Sequence, residues 1–303
     1  MPRPVLAEGL KPEMRAGTAA RAIINAKLEE TARYVKPALK GDFDGVHDLR
    51  VAIKRLREAL RLFGQLIRKR RREPVFEMAQ ELNDALGQVR ERDVLIRDAQ
   101  RVIESAPQTA ELLGGLLEQW QQEREQRLKV FRDAWKRLDG SGLFLDETRR
   151  AARAAHRRSQ PLNDLSLESF AYCAITARAA EVMTDLAQAR GSDDPHLLHM
   201  LRIATKKLRY AIEPFLPVFP ALQASYDVAS DIQESLGLTH DSDVLLAAME
   251  DYLRSTGQIE VQPAVEVLAM LRADRDERYA RARESVNRLD SESWRRDLLD
   301  AVD

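Results

Sequence analysis

The sequence has one cysteine, Cys173, in 303 residues, so no disulfide can form within the chain and a reducing compartment is the expectation. Flanked by Ala171, Tyr172, Ala174 and Ile175, that thiol reads as a buried apolar side chain rather than a reactive one. Aromatic residues are scarce at 6%, which argues against stacking nucleic-acid bases on rings. Net charge is nearly absent, with 48 basic residues against 49 acidic ones. A bulk polycation is excluded, and any affinity for anions must come from local segregation of charge. No apolar run approaches membrane-spanning length. The opening Met1-Pro2-Arg3-Pro4-Val5-Leu6 lacks a signal-peptide core, so the cytoplasm is the expected location. Lysine is sparse as well. Only 10 basic residues are Lys, and the 38 Arg carry planar forks suited to bidentate phosphate contact.

Alternating β patterns are missing, and long stretches without Gly or Pro follow a 3.6-residue period. The breaks predict four long helices in the first half, about 15–39, 45–69, 73–105 and 108–138. A shorter helix, about 144–158, follows. The second half repeats the plan at about 166–190, 195–213, 219–254 and 262–289, with a helical tail to about 301. Asp44 is the expected N-cap of the second helix; Asp194, followed by Pro195, is expected to start its counterpart. The boundaries that follow are a tail at 1–14, a first repeat at 15–142, a linker helix at 143–161 and a second repeat at 162–303.

One pattern occurs twice, about 150 residues apart. His47, Arg50, Lys54 and Arg57 follow i, i+3, i+7, i+10, and so do His199, Arg202, Lys206 and Arg209. On a helix each set lines one narrow face, with Arg61 a turn further in the first copy and Glu213 at that place in the second. Leu49, Ile53, Leu56, Leu60 and Phe63 take the opposite face, matched by Leu201, Thr205, Leu208, Ile212 and Phe215. Like charges at helical neighbours repel, so folding alone does not favour such a stripe, and an anionic ligand is the expected compensation. Arg55 and Lys207 belong to the same basic motifs and are counted with the stripes.

A second element is also duplicated. Leu86-Gly87-Gln88-Val89-Arg90-Glu91-Arg92-Asp93-Val94-Leu95 matches Leu236-Gly237-Leu238-Thr239-His240-Asp241-Ser242-Asp243-Val244-Leu245. Asp93 and Asp243 fall on core-facing stripes, where an unpaired carboxylate is costly. They are expected to pair with, and orient, the cations of the preceding motif helix. Gly87 and Gly237 are expected to allow close helix approach. Arg90, His240, Arg153 and Arg157 are weaker binding candidates. Residues 149, 150, 153 and 156–158 give the short helix a basic face, and residues 68–72 form a dense cationic run expected to end the first motif helix. Trp120, Trp135 and Trp294 sit on apolar patterns and read as core.

The paired motifs His47-x-x-Arg50-Val-x-x-Lys54-Arg55-Leu-Arg57 and His199-x-x-Arg202-Ile-x-x-Lys206-Lys207-Leu-Arg209, each followed by its Leu-Gly element, resemble the CHAD family, the conserved histidine α-helical domain. The resemblance runs from about residue 20 to 290. It implies an all-α fold of two pseudo-symmetric antiparallel four-helix bundles, with the motif helices facing each other across a central basic channel. It further implies binding of inorganic polyphosphate and association with polyphosphate granules and their proteins. Members are often fused to a triphosphate tunnel metalloenzyme domain, whose Glu-x-Glu-x-Lys signature is missing here. A non-enzymatic binder without cofactor is the expectation. The five histidines, 47, 156, 196, 199 and 240, invite a metal, yet no carboxylate stands at ligand spacing within the motifs and neighbouring cations oppose a metal ion. The alternatives are a nucleic-acid-binding module, a metal-dependent phosphohydrolase or phosphotransferase, and a scaffold for an acidic protein.

Overall fold

A computed structural model describes residues 3–155, 161–192 and 194–302. His156 and Arg157 lie outside the described residues. Ten α-helices form among the described residues, and no strand does. In order they are α1 (Ala16–Lys40), α2 (Phe43–Leu62), α3 (Lys69–Ser105), α4 (Ala110–Asp139), α5 (Leu143–Ala155), α6 (Leu167–Ala189), α7 (Pro195–Ile212), α8 (Leu222–Ser255), α9 (Gln262–Arg288) and α10 (Ser291–Asp300).

The motif helices start where short polar side chains cap them. Asp42, not Asp44, caps α2, its carboxylate accepting from Gly45 N–H at 2.7 Å, so the helix begins two residues earlier than expected. Asp194 caps α7, with Pro195 at the first helical position as predicted. Helix α2 ends at Leu62, and a 3-10 turn, Gly64–Leu66, separates it from α3. The cationic run at 68–72 therefore opens α3 instead of closing α2. Cys173 is exposed on α6, contrary to expectation. Trp120, Trp135 and Trp294 are buried.

Each half is built from two helical hairpins joined through its middle helices: α1 with α2 and α3 with α4, then α6 with α7 and α8 with α9. The helix read as a linker, α5, packs against α1 and α3, just as α10 packs against α6 and α8. Each half thus has four helices in two hairpins and a fifth packed against them. The halves meet like on like, α2 against α7 and α3 against α8, as a pseudo-twofold axis requires.

Burial is divided into two apolar clusters. The larger contains the inner faces of α1, α2, α6 and α7 and follows α3 as far as Val89 and α8 as far as Leu236. The smaller joins the far ends of α3, α4, α8 and α9, starting at Leu95 on α3 and Leu245 on α8. Most residues between them along α3 and α8, including Arg90, Asp93, His240, Asp241 and Asp243, are polar. The core is interrupted at the level where the duplicated elements meet.

Candidate functional site

Lys54 on α2 shows how the two halves share one electrostatic environment. Burial pushes its ammonium down to about 6, and Arg50, Lys206, Arg202 and Arg57 reinforce the shift. Two of those four cations stand on α7, across the junction. Lys206 is likewise lowered, first by burial, then by Arg202 and Arg50. Arg50 is lowered by burial, with Arg90 and Arg202 opposing its charge. The stripes therefore face each other closely enough to repel.

At the N-terminal end of the stripes lie the histidines. His47 is lowered to about 4, by burial first and then by Arg90 and Arg50 among others. His199 is lowered by burial and by His240, whose ring centroid is 5.8 Å away. Both weaker candidates of the second duplicated element, Arg90 and His240, thus belong to the same neighbourhood as the stripes.

The glycines of that element have a definite part. A Cβ added to Gly87 would stand 3.6 Å from Nε of Arg50, and one added to Gly237 would stand 3.8 Å from Nε of Arg202. Each stripe arginine lies over the backbone of the next helix, in the same way in both halves. Gly87 and Gly237 bring a guanidinium, not merely a helix, close to α3 and α8.

Several of these donors are buried and unused. Nε of Arg50, Arg57 and Arg202, Nη1 of Arg90 and Nη2 of Arg209 have no hydrogen-bond partner. Buried polar groups are nearly always paired, and an unmatched charged donor is among the most costly of them. Five such donors, from both halves, mark charge that the fold leaves uncompensated along the stripes.

Not every predicted site residue joins the set. Arg55 follows Lys54 by one residue, about 100° further round the helix. It is fully buried and donates to Glu30 Oε1 at 2.6 Å and to Glu213 Oε2 at 2.9 Å. Lys27 completes this network, donating to Glu213 at 2.8 Å and to the carbonyl of Val5. Arg55 is thus committed to structure, and Glu213 is its partner rather than a weak point of the second stripe. Lys207 pairs with Glu181 of α6 at 3.6 Å. Arg153 lines a cleft between α1 and α5 with Arg21, Asn25 and Glu29, away from the stripes. Arg209 faces inward but is partly engaged, donating to Gln233 at 2.9 Å and to the hydroxyl of Tyr226 at 3.1 Å. Arg57 and Arg61 both lie over the Phe76 ring, 5.4 and 5.3 Å from its centroid, and Arg61 pairs with Glu58.

The carboxylates also find other partners than expected. Asp93, fully buried, accepts from Arg124 of α4 at 2.5 Å, and Arg124 in turn donates to the Gly41 carbonyl and covers the Phe43 ring. Asp93 therefore acts on the first motif helix through Arg124 and the turn from which α2 starts. Asp243 pairs with Arg275 of α9 at 2.7 Å and is substantially exposed. Neither pairs with a stripe cation. Among the described residues no group of three or more His, Cys, Asp and Glu side chains is arranged to hold a metal ion, and no helix is long and apolar enough to cross a membrane.

The CHAD domain model matches residues 22–250, about three quarters of the chain, and the chain belongs to the CHAD-domain family. Among solved structures it is similar to the CHAD domain from the plant Ricinus communis, with 22% identity, TM-score 0.66, and 98% of this chain and 96% of that one covered. It is also similar to PptA from Streptomyces chartreusis, with 18% identity, TM-score 0.64, and 90% of this chain and 98% of that one covered. At these identities the likeness speaks for the fold. Comparison with curated proteins found no match.

Proposed function

We propose that this protein binds inorganic polyphosphate between its two basic stripes, without catalysing a reaction, and that granules of the polymer are where it gathers. The observation that carries the proposal is the meeting of α2 with α7, which sets Arg50 and Lys54 of one half against Arg202 and Lys206 of the other with no carboxylate paired to any of the four among the described residues. Membership of the CHAD family supports it. Arg50 and Arg202 offer planar forks, Lys54 and Lys206 act as point charges, and His47, His199 and His240 supply ring donors at one end. A polymer with a negative charge on every unit engages these groups together, and counterion release makes the sum large even where single contacts are weak.

Calorimetric titration with long-chain polyphosphate across a salt series tests this reading. Wild-type protein is expected to bind tightly, with log affinity falling linearly against log salt. Reversing Arg50, Lys54 and Arg57 together to Glu is expected to abolish binding while the helical circular dichroism persists. Equal binding by both proteins, or preferential competition by DNA or RNA, would move the site elsewhere or change the ligand. Phosphate released from the polymer would contradict the non-enzymatic part.

A subtler variant probes the role of the glycine. Gly87→Ala is expected to be neutral, since its Cβ meets Arg50 at ordinary contact distance. Gly87→Leu displaces the guanidinium and is expected to weaken binding about tenfold, or 1.4 kcal/mol. Equal affinity in the two variants would show that Arg50 does not hold the ligand from this position.

A further inference from the structure

The stripes are pseudo-symmetric, but their far ends are not. In the first half, Arg57 and Arg61 share the Phe76 ring, and Phe76 lies one turn beyond Arg72 on α3. Arg72 packs against Gly64, in the turn that joins α2 to α3. Immediately before it come Arg68, Lys69, Arg70 and Arg71, all exposed. Among the described residues no carboxylate pairs with any of these four; only Arg72 is paired, with Glu73 at 2.7 Å. The first turn of α3 contains no acidic residue, and cations there oppose the helix dipole. Folding provides no reason for such a run.

The second half ends differently. About 150 residues on, the corresponding positions are Val218, Phe219, Pro220, Ala221 and Leu222, with no charge among them. Phe219 and Leu222 are buried, Arg209 is tied to Gln233 and Tyr226, and Glu213 is turned inward to Arg55 and Lys27. Past the end of the first stripe the chain presents exposed cations, and past the end of the second it presents uncharged and paired residues.

We infer that a polyanion too long for the stripes leaves between Arg57 and Arg61 and continues onto residues 68–71, so that the protein holds long chains in one direction and distinguishes them from short ones. This inference rests on the reading of the stripes as a polyphosphate site. The stripe from His47 to Arg61 spans about 21 Å of helix, so an oligomer of a few phosphates can be satisfied within it, whereas a long polymer must emerge. Glu58 and Asp84 lie beside the path; Glu58 is paired with Arg61, whereas Asp84, whose partners are the neutral amides of Gln80 and Asn83, keeps its charge and is outnumbered by the cations around it.

The test compares tripolyphosphate with long-chain polyphosphate on the full chain by calorimetry at several salt concentrations. The variant is Arg68→Gln, Lys69→Gln, Arg70→Gln and Arg71→Gln, in which every substituted side chain is exposed. A control neutralises four exposed cations elsewhere, Arg33→Gln, Lys129→Gln, Arg295→Gln and Arg296→Gln. The expected result for the run variant is unchanged affinity for tripolyphosphate. Its affinity for long chains should fall at least about tenfold, with a shallower salt slope than wild type or control. Long-chain affinity unchanged in the variant, with tight wild-type binding, would overturn this inference and leave the parent reading intact. An equal loss in the control would overturn it as well, by showing a bulk charge effect. Wild-type protein that binds neither probe would overturn both.

Discussion

Replacing Lys54 by methionine is expected to stabilise the ligand-free protein and, in the same molecule, to weaken polyphosphate binding severely. Lys54 is largely buried and surrounded by Arg50, Lys206, Arg202 and Arg57, and its pKa is lowered to about 6 from an ordinary value of 10.5. A displacement of that size corresponds to a penalty of several kcal/mol on the charged form. Methionine has nearly the same shape and no charge to desolvate, so the folded state gains, on the order of 1–3 kcal/mol. For a chain of this size each kcal/mol moves Tm by about 2–4 °C. The sign of the pH dependence follows. Between about pH 10.5 and 6 the unfolded chain binds the Lys54 proton and the folded one does not. The wild-type contribution to stability therefore falls as pH is lowered through that window and levels off below it. The variant lacks this slope. Binding has the opposite linkage, because a phosphate chain restores the proton to Lys54. Wild-type affinity is expected to strengthen as pH falls from about 8 to 6, by up to tenfold per unit, and Lys54→Met to flatten that response. His47, lowered to about 4, extends the response into more acid conditions instead of governing it near neutrality. Thermal melts and titrations at three pH values decide the matter. A variant that melts below wild type would show that Lys54 is paired in the native protein and that the stripes are not strained.

How far the sequence alone reaches can be judged at neighbouring residues. The i, i+3, i+7, i+10 spacing placed His47, Arg50, Lys54 and Arg57 on one face, and the doubling pointed to two stripes; α2 and α7 do meet. Periodicity within one helix was sufficient for that, since only residues a few positions apart are compared. Arg55 was misread because its partners, Glu30 and Glu213, are 25 and 158 residues away and no local pattern joins them. Arg124, which holds Asp93 and the start of α2, was missed for the same reason, although Arg275 follows Asp243 by 32 residues much as Arg124 follows Asp93 by 31. That second duplicated acid–arginine pair was present in the sequence as a signal. The run at 68–72 was assigned to the wrong helix because nothing but Gly64 marks the end of α2, and a capless helix start has no sequence signature. Cys173 followed its apolar neighbours in sequence, whereas on α6 its own position faces solvent.

Arg55 and Lys54 are adjacent, and the structure assigns them opposite fates. Arg55→Met is expected to cost about 3–5 kcal/mol, because it leaves Glu30 and Glu213 buried with only Lys27 between them. Burial alone would lower the Arg55 pKa, but Glu213 and Glu30 outweigh it and raise it, which marks a charge the fold holds in place. The same network spans the molecule: Lys27 and Glu30 belong to α1, Arg55 to α2, and Glu213 to the 3-10 turn after α7. Lys27 and Glu30 also fasten the N-terminal segment, donating to the Val5 carbonyl and accepting from its N–H. Losing Arg55 therefore loosens the junction of the two halves as well as one ion pair. Urea unfolding should show the midpoint falling steeply. A double-mutant cycle of Arg55→Met with Glu213→Gln should return a large coupling energy, since the second substitution removes the carboxylate that the first leaves unmatched. At a temperature where Arg55→Met remains folded, its affinity for polyphosphate should stay within about threefold of wild type, because Arg55 is fully buried and engaged by Glu30 and Glu213. Lost affinity with unchanged stability would reverse the assignment and make Arg55 a ligand contact. Lys54→Met gaining stability while losing binding, beside Arg55→Met losing stability while keeping it, would separate the charge held for the ligand from the charge held for the fold, one residue apart on the same helix.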